Sequence, residues 1–384
     1  MQTMTQKSTQ TMTATSPRLQ FIDVLRGITV GFMIMVNNNG QNELAYRAMN
    51  HSPWNGFTPT DLVFPTFLFV MGVSVVLSFR GRRAQSTPKR TLLLHVLRRF
   101  VILVLLGLIV NGFPYFHLET LRIYGVLQRI AVCYLLASLL ELATGRIAPR
   151  ILLFVAALVG YWALMRWVPV PGYGLPGRDI PLLDPDRNLV AYLDRHIFPG
   201  RLFEGTRDPE GLLSDLPSFA STLMGMMAGW YLKRTRATWR TFAVFLLSGL
   251  ISLAAGLLWS QSFPLNKKLW TSSYVLYAGG WSLVLFATCY LLCELWQLRG
   301  RWTLPWIVFG TNAIAAYVFS ELLSSAVATF HIHSRLSIQQ YVYSHFFRLI
   351  GSPAFGSLVY SVVFAALCWG VVWQLYRRGI FIRL

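Results

Sequence analysis

The sequence predicts an all-α, polytopic membrane protein of about ten transmembrane helices, with both termini on the cytoplasmic side. Three observations predict it. Of 384 residues, 54% are apolar and only 13% charged, a balance too apolar for a soluble domain of this size. Stretches long enough to cross a bilayer recur along the chain, at 20–38, 60–79, 93–113, 125–143, 150–168, 217–232, 241–260, 273–296, 304–329 and 356–376. With the N-terminus inside, twenty of the 34 lysines and arginines fall in short cytoplasmic segments, among them Arg80, Arg82, Arg83, Lys89, Arg90, Arg98 and Arg99. That bias sets orientation. It also assigns most of the net charge of +19 to topology and anionic membrane lipid, and argues against a nucleic-acid partner.

The opening 17 residues, "MQTMTQKSTQTMTATSP", are polar, with no apolar core and no small-residue cleavage site. They predict a disordered cytoplasmic tail rather than a signal peptide, and residues 18–384 predict one transmembrane domain. The first span opens on "FIDVLRG". Asp23 and Arg26 are three apart and share a helix face, either as an ion pair anchoring the helix end or as a place where Arg26 meets an anionic ligand. The span ends on "MVNNNGQN". Its asparagines serve either as a helix cap and turn or as neutral groups that hold a carbonyl or hydroxyl of a ligand.

The next block, "NHSPWNGFTPTDLVFPTFLFVMG", places His51, Trp54 and Asp61 immediately before an apolar run. Trp54 suits a membrane interface. A loop histidine is most simply solvated. One held by a carboxylate has a fixed tautomer and raised basicity, and can act as a general base or nucleophile. In "LRIYGVLQRIAVCY", Arg122 suits the headgroup region, whereas Arg129, beside Gln128, lies deeper and needs a partner.

The segment 169–217 is the only long non-membrane stretch. Pro, Gly and Asp crowd it, "NLVAYLDRHIF" within it reads as a short amphipathic helix, and it holds eight of the fifteen acidic residues. Its length and polarity predict a periplasmic binding loop or lid. Lys267 and Lys268 in "FPLNKKLWTSSYVL" sit at an outer edge, and Asn312 and Glu321 fall in or beside the ninth span. Asn312 serves either helix packing or a ligand. The four cysteines lie within spans as small apolar fillers. No P-loop, GxSxG or HExxH motif occurs, and no cluster of metal ligands is evident.

Seven blocks in order, "RLQFIDVLRG", "MVNNNG", "NHSPWNGFTPTDLVFPTFLFVMG", "LRIYGVLQRIAVCYLL", "DPEGLLSDLPS", "PLNKKLWTSSYVL" and "FGTNAIAAYV", resemble the heparan-α-glucosaminide N-acetyltransferase family in the form found in bacteria. The resemblance covers nearly the whole chain from residue 18. It implies acetyl transfer from cytosolic acetyl-CoA, with no metal, to a saccharide amine on the far side of the membrane. The family's active-site histidine, in a His-x-x-Trp-Asn-Gly block, corresponds to His51, followed by Trp54, Asn55 and Gly56. The family's asparagine, counted back from that histidine, would fall on Gly40. The preceding Val-Asn matches Val36-Asn37, so a short insertion intervenes and Asn37 or Asn38 takes the role. The large luminal domain and extra first helix of the lysosomal members have no counterpart in this sequence.

On that resemblance, His51, Asn37, Asn38 and Asp61 are the catalytic candidates. Arg26, Arg129, Gln128 and Asn312 are candidates for CoA, and Trp54, Asn55, Asp208, Glu210 and Lys267 for the acceptor. A multi-pass protein of the bacterial inner membrane, acting on an amino sugar or glycan, follows, and a homodimer is a further implication. The competing reading is an amino-sugar or oligosaccharide transporter without chemistry, in which the same polar groups line a permeation path.

Overall fold

Eighteen largely apolar residues, "QFIDVLRGITVGFMIMVN", form the first helix, α1 (Gln20–Asn37), and nearly all of its apolar side chains are buried by neighbouring helices. The computed structural model describes residues 19–84, 87–235, 237–332 and 336–382. The expected tail at 1–17 lies outside them. Twelve more helices follow in the described residues: α2 (Val63–Ala84), α3 (Lys89–Gly112), α4 (Val126–Ala143), α5 (Ala148–Trp167), α6 (Leu189–Ile197), α7 (Asp215–Leu232), α8 (Trp239–Ser260), α9 (Ser272–Tyr290), α10 (Leu304–Thr311), α11 (Ala313–Thr329), α12 (Ile338–Val342) and α13 (Pro353–Arg377). A two-stranded antiparallel hairpin, β1 (His331–Ile332) and β2 (Leu336–Ser337), pairs His331 with Ser337.

Among the described residues eight helices are long and apolar enough to cross a membrane, or nine if the bent pair α10–α11 is one span. The remaining expected span, the sixth at 217–232, coincides with α7. That helix carries Asp215, Ser218, Ser221 and Thr222, all buried inside the bundle, so these polar side chains face protein rather than lipid. Helices α1, α2, α4, α7 and α9 supply much of the core. By contrast α3, α5 and α8 turn outward residues such as Leu94, Leu152, Ile251 and Leu258, and form the apolar surface a bilayer would cover.

The ninth expected span is broken. Between α10 and α11 the chain bends by 76° at Asn312. The bend follows a close crossing of α10 with α1. A Cβ on Gly310 would lie 1.9 Å from the Asp23 carbonyl oxygen, and one on Gly27 would lie 1.7 Å from that of Trp306. Only glycines allow this backbone-to-backbone contact. The predicted amphipathic helix inside 169–217 is α6, capped by the Asn188 side chain, which accepts from Ala191 N.

Candidate active site

The His51 loop is fixed from below by Asp61. Thr58 and Asp61 form a reciprocal cap on the short helical turn leading into α2. Asp61 Oδ2 accepts from Thr58 N at 2.9 Å, Thr58 Oγ1 at 3.1 Å and Ser52 N at 3.2 Å. Its other oxygen is left for His51, with Nδ1 2.7 Å from Oδ1. An ionised carboxylate only accepts, so Nδ1 carries the proton and Nε2 keeps a lone pair. Tyr274 OH, from α9, donates to the Asp61 carbonyl at 2.6 Å and ties this turn to the core.

Nε2 faces a cavity of about 420 Å³ at the Asn37 end of the bundle, lined by Asn37, His51, Arg122, Glu210, Lys267 and Glu321 among others. Lys267 Nζ lies 3.4 Å from His51 Nε2. The His51 side chain is 40% exposed, toward this cavity, but lies well inside the protein. That desolvation, and then the Lys267 cation, push its pKa below the ordinary value, outweighing the hydrogen bond and charge of Asp61. The ring is therefore neutral at neutral pH and free to accept a proton. Burial also pushes the Lys267 ammonium below its usual range. Glu210 is buried, which raises its pKa, but Arg122 and then Lys267 outweigh burial and keep it ionised. Arg122 Nη2 reaches Glu210 Oε2 at 2.5 Å and also pairs with Asp208.

A second cavity, of about 400 Å³, lies at the other end of the bundle. It is lined by Arg26, Ser74, Ser78, His95, Arg98 and Arg99, with apolar side chains from α2, α4 and α11. Arg26 donates to Asp23 Oδ1 at 3.0 Å, Ser74 Oγ at 2.7 Å and the Gly310 carbonyl at 3.1 Å. The glycine crossing of α1 and α10 thus supplies one of its acceptors. Between the cavities is an apolar gap of about 10 Å³, room for roughly one water. It shares Phe67, Ile130 and Ile314 with the basic cavity and Val126, Leu127 and Tyr317 with the His51 cavity. The gap thus borders both cavities through shared side chains.

Several sequence candidates fall elsewhere. Arg129 cannot meet a ligand in the basic cavity: it is fully buried near the start of α4, paired with Asp215 at 3.1 Å and donating to the Gly211 carbonyl at 3.0 Å. Gln128 is buried against Gly107 of α3. Asn312, assigned to CoA, instead clamps the chain after α13, with Nδ2 on the Ile380 carbonyl and Oδ1 accepting from Ile382 N. Asn38 caps α1 through the Ile34 carbonyl, so Asn37 alone of this pair reaches the cavity. There its Nδ2 lies 3.3 Å from Glu321 Oε1.

Among the acceptor candidates, Glu210 and Lys267 line the cavity, whereas Trp54, Asn55 and Asp208 hold its walls together. Trp54 Nε1 donates to the Leu183 carbonyl at 2.8 Å, and Asn55 pairs with Asn266. Sequence reasoning passed over Arg122 as a headgroup contact and assigned no role to Glu204, Lys268 or Glu321, all of which line the cavity. Their polarity at span ends was the available signal, but nothing local showed that they converge.

Fold and site together define a class: a polytopic helical membrane protein with a carboxylate-held imidazole facing a polar cavity at one end of its bundle and a basic cavity at the other. Residues 18–176 match the family described as heparan-alpha-glucosaminide N-acetyltransferase, catalytic. Heparan-alpha-glucosaminide N-acetyltransferase of Homo sapiens is 29% identical over 428 residues, covering 98% of this chain and 61% of that protein. Its Mus musculus counterpart is 28% identical over 423 residues, covering 97% and 61%. The chain is thus similar to heparan-alpha-glucosaminide N-acetyltransferases, and it spans 61% of the length of these curated relatives.

Proposed function

We propose that the protein is a membrane-embedded acetyltransferase of a bacterial inner membrane, moving acetyl from cytoplasmic acetyl-CoA to the amine of an amino sugar or saccharide on the periplasmic side. One observation carries this reading: an Asp61-held imidazole faces a polar cavity, and a basic cavity lies at the other end of the same helices with only a small apolar gap bordering both. Arg26, Arg98, Arg99 and His95 suit the phosphates of CoA. The thin, largely apolar pantetheine arm suits the apolar gap that borders both cavities.

In the His51 cavity the acceptor amine attacks the thioester carbonyl. The C–N bond forms and the C–S bond breaks, with its electron pair leaving on sulfur. His51 Nε2 takes the amine proton and returns it to the thiolate. Asp61 holds the ring and stabilises the imidazolium while it lasts. Asn37 Nδ2, once turned from Glu321, donates to the developing oxyanion. Glu210 and Glu321 attract the incoming ammonium form of the acceptor, which gives one proton to solvent before the neutral amine attacks.

Proteoliposomes given labelled acetyl-CoA and a panel of amino sugars test the proposal, with N-acetylated product read by mass spectrometry. Product from the wild type and none from His51→Ala supports it. Uptake of unmodified sugar that survives in His51→Ala, without product from either protein, establishes a transporter instead.

A further inference from the structure

The lysine beside His51 is placed where a substrate amine belongs. Nζ of Lys267 is 3.4 Å from Nε2, the nitrogen that carries the lone pair. Chain geometry holds it there. Asn266 forms a β-bridge with Asn55, its Nδ2 donates to Asn55 Oδ1 at 3.1 Å, and Gly56 N donates to the Leu265 carbonyl at 2.8 Å. The turn is closed internally as well: Asn266 Oδ1 accepts from Leu269 N at 2.9 Å, and Asn266 N donates to Thr271 Oγ1 at 3.0 Å. The histidine loop and the lysine turn are thus one assembly. The neighbouring lysine is engaged differently, with Lys268 Nζ 2.7 Å from Glu204 Oε1. Among the described residues no carboxylate lies within ion-pair distance of Lys267 Nζ.

We infer that Lys267 is an internal acetyl acceptor: when no amine substrate occupies the cavity, its Nζ takes acetyl from the thioester with His51 as base. This inference rests on the acetyl-CoA reading above. Lys267 enters as the neutral amine, which its burial favours. Nζ bonds to the carbonyl carbon and the C–S bond breaks, its electron pair leaving on sulfur. His51 Nε2 removes one proton from nitrogen and delivers it to the thiolate. The products are Nε-acetyl-Lys267 and free CoA thiol, with His51 returned to its neutral form. The resulting amide fills the acceptor position and removes the cation beside His51, so each self-acetylated molecule is withdrawn from transfer. An external amine prevents this by occupying the same place, which makes the enzyme self-limiting when acetyl-CoA is plentiful and acceptor is scarce.

The test incubates the full-length protein with acetyl-CoA alone, cuts it with chymotrypsin and reads the peptide holding "PLNKKL" by fragmentation mass spectrometry, which separates Lys267 from Lys268. The expected result is acetyl on Lys267 in preference to Lys268, suppressed in the wild type by an amino sugar that the protein acetylates. In His51→Gln the labelling rate falls by about a hundredfold or more, the effect of removing a general base. A wild type that acetylates an added amino sugar while Lys267 stays unmodified overturns the inference and leaves the acetyltransferase reading intact. Equal labelling of the two lysines, or labelling indifferent to both the added sugar and His51→Gln, marks plain chemical acetylation and overturns it too. Acetyl on neither the lysine nor any sugar overturns both readings. The sugar-suppression measurement needs no variant, so a His51→Gln protein that fails to fold does not spoil the test.

Discussion

The two cavities are built from many of the same helices by opposite means. Around His51, loops are pinned by hydrogen bonds, and several charged groups have a close defined partner: Asp61 on His51, Glu210 and Asp208 on Arg122, Glu204 on Lys268. Around Arg26, the walls are helix faces of α2, α3, α4 and α11, and the cations Arg98 and Arg99 stand with His95 around an open space. One end is preorganised at the level of individual atoms, as bond-making requires. The other gathers Arg26, Arg98, Arg99 and His95 on helix faces, a positive field that suits a large anion that arrives and leaves. On the proposed function, chemistry belongs to one end and capture of the donor to the other, and that contrast can be broken at either.

The largest expected effect is at the preorganised end. Replacing His51 by Ala should lower the rate of acetyl transfer by about 10²–10⁴-fold, the usual contribution of a positioned general base. The same variant should keep its thermal stabilisation by acetyl-CoA, because the donor's charge is held at the far end. Loss of that stabilisation in a folded His51→Ala protein would merge the two cavities into one functional unit. Next in size is Arg129→Met. This fully buried guanidinium is the ion-pair partner of Asp215 and also binds the Gly211 carbonyl. Its removal leaves a buried carboxylate uncompensated, and stability in detergent, followed by thermal or denaturant unfolding, should fall by about 3–5 kcal/mol. Adding Asp215→Asn should return part of that loss.

Much of this division was legible in the sequence where partners are close along the chain. His51 and Asp61 are ten residues apart, and the Thr-Pro-Thr-Asp capping pattern between them fixes the second on the first. Asp23 and Arg26 are an i, i+3 pair that needs only helix geometry. The spans were legible for the same reason, since apolar length is a local property. Long-range partners were not. Arg129 looked like a buried cation in search of an anionic ligand, and its partner Asp215 is 86 residues away. Asn312 looked like a ligand group because nothing local reveals that the chain after α13 returns to it. The break at Asn312 was read as one continuous span. Its companion Gly310 is legible only as a glycine, not as the point where α10 touches α1.

A smaller effect is expected at the basic cavity. Arg98→Gln and Arg99→Gln should each raise the KM for acetyl-CoA a few-fold and leave kcat nearly unchanged, because each removes one partly screened cation from a field of several. Raising ionic strength should mimic the substitutions in the wild type and have little further effect in the double variant. A kcat that falls with KM unchanged would place these arginines in the bond-making step and dissolve the contrast between the ends.

The finest test concerns pH, and its sign follows from the groups facing His51. The catalytic form is the neutral ring, so activity is full above the His51 pKa and is lost as pH falls through it. Burial, and then the nearby Lys267 cation, lower that pKa from the ordinary 6.5, against Asp61, which raises it. The acid limb of kcat/KM should therefore lie below the range of a free histidine. Replacing Lys267 by Met keeps an apolar stem and removes the cation. The His51 pKa must then rise, and the acid limb must move to higher pH. Arg98→Gln, at the far cavity, should leave the limb where it was. A limb that stays fixed in Lys267→Met, or moves down, would mean that Lys267 does not act on the imidazole through its charge, and the atom-level coupling claimed for this end of the molecule would be lost.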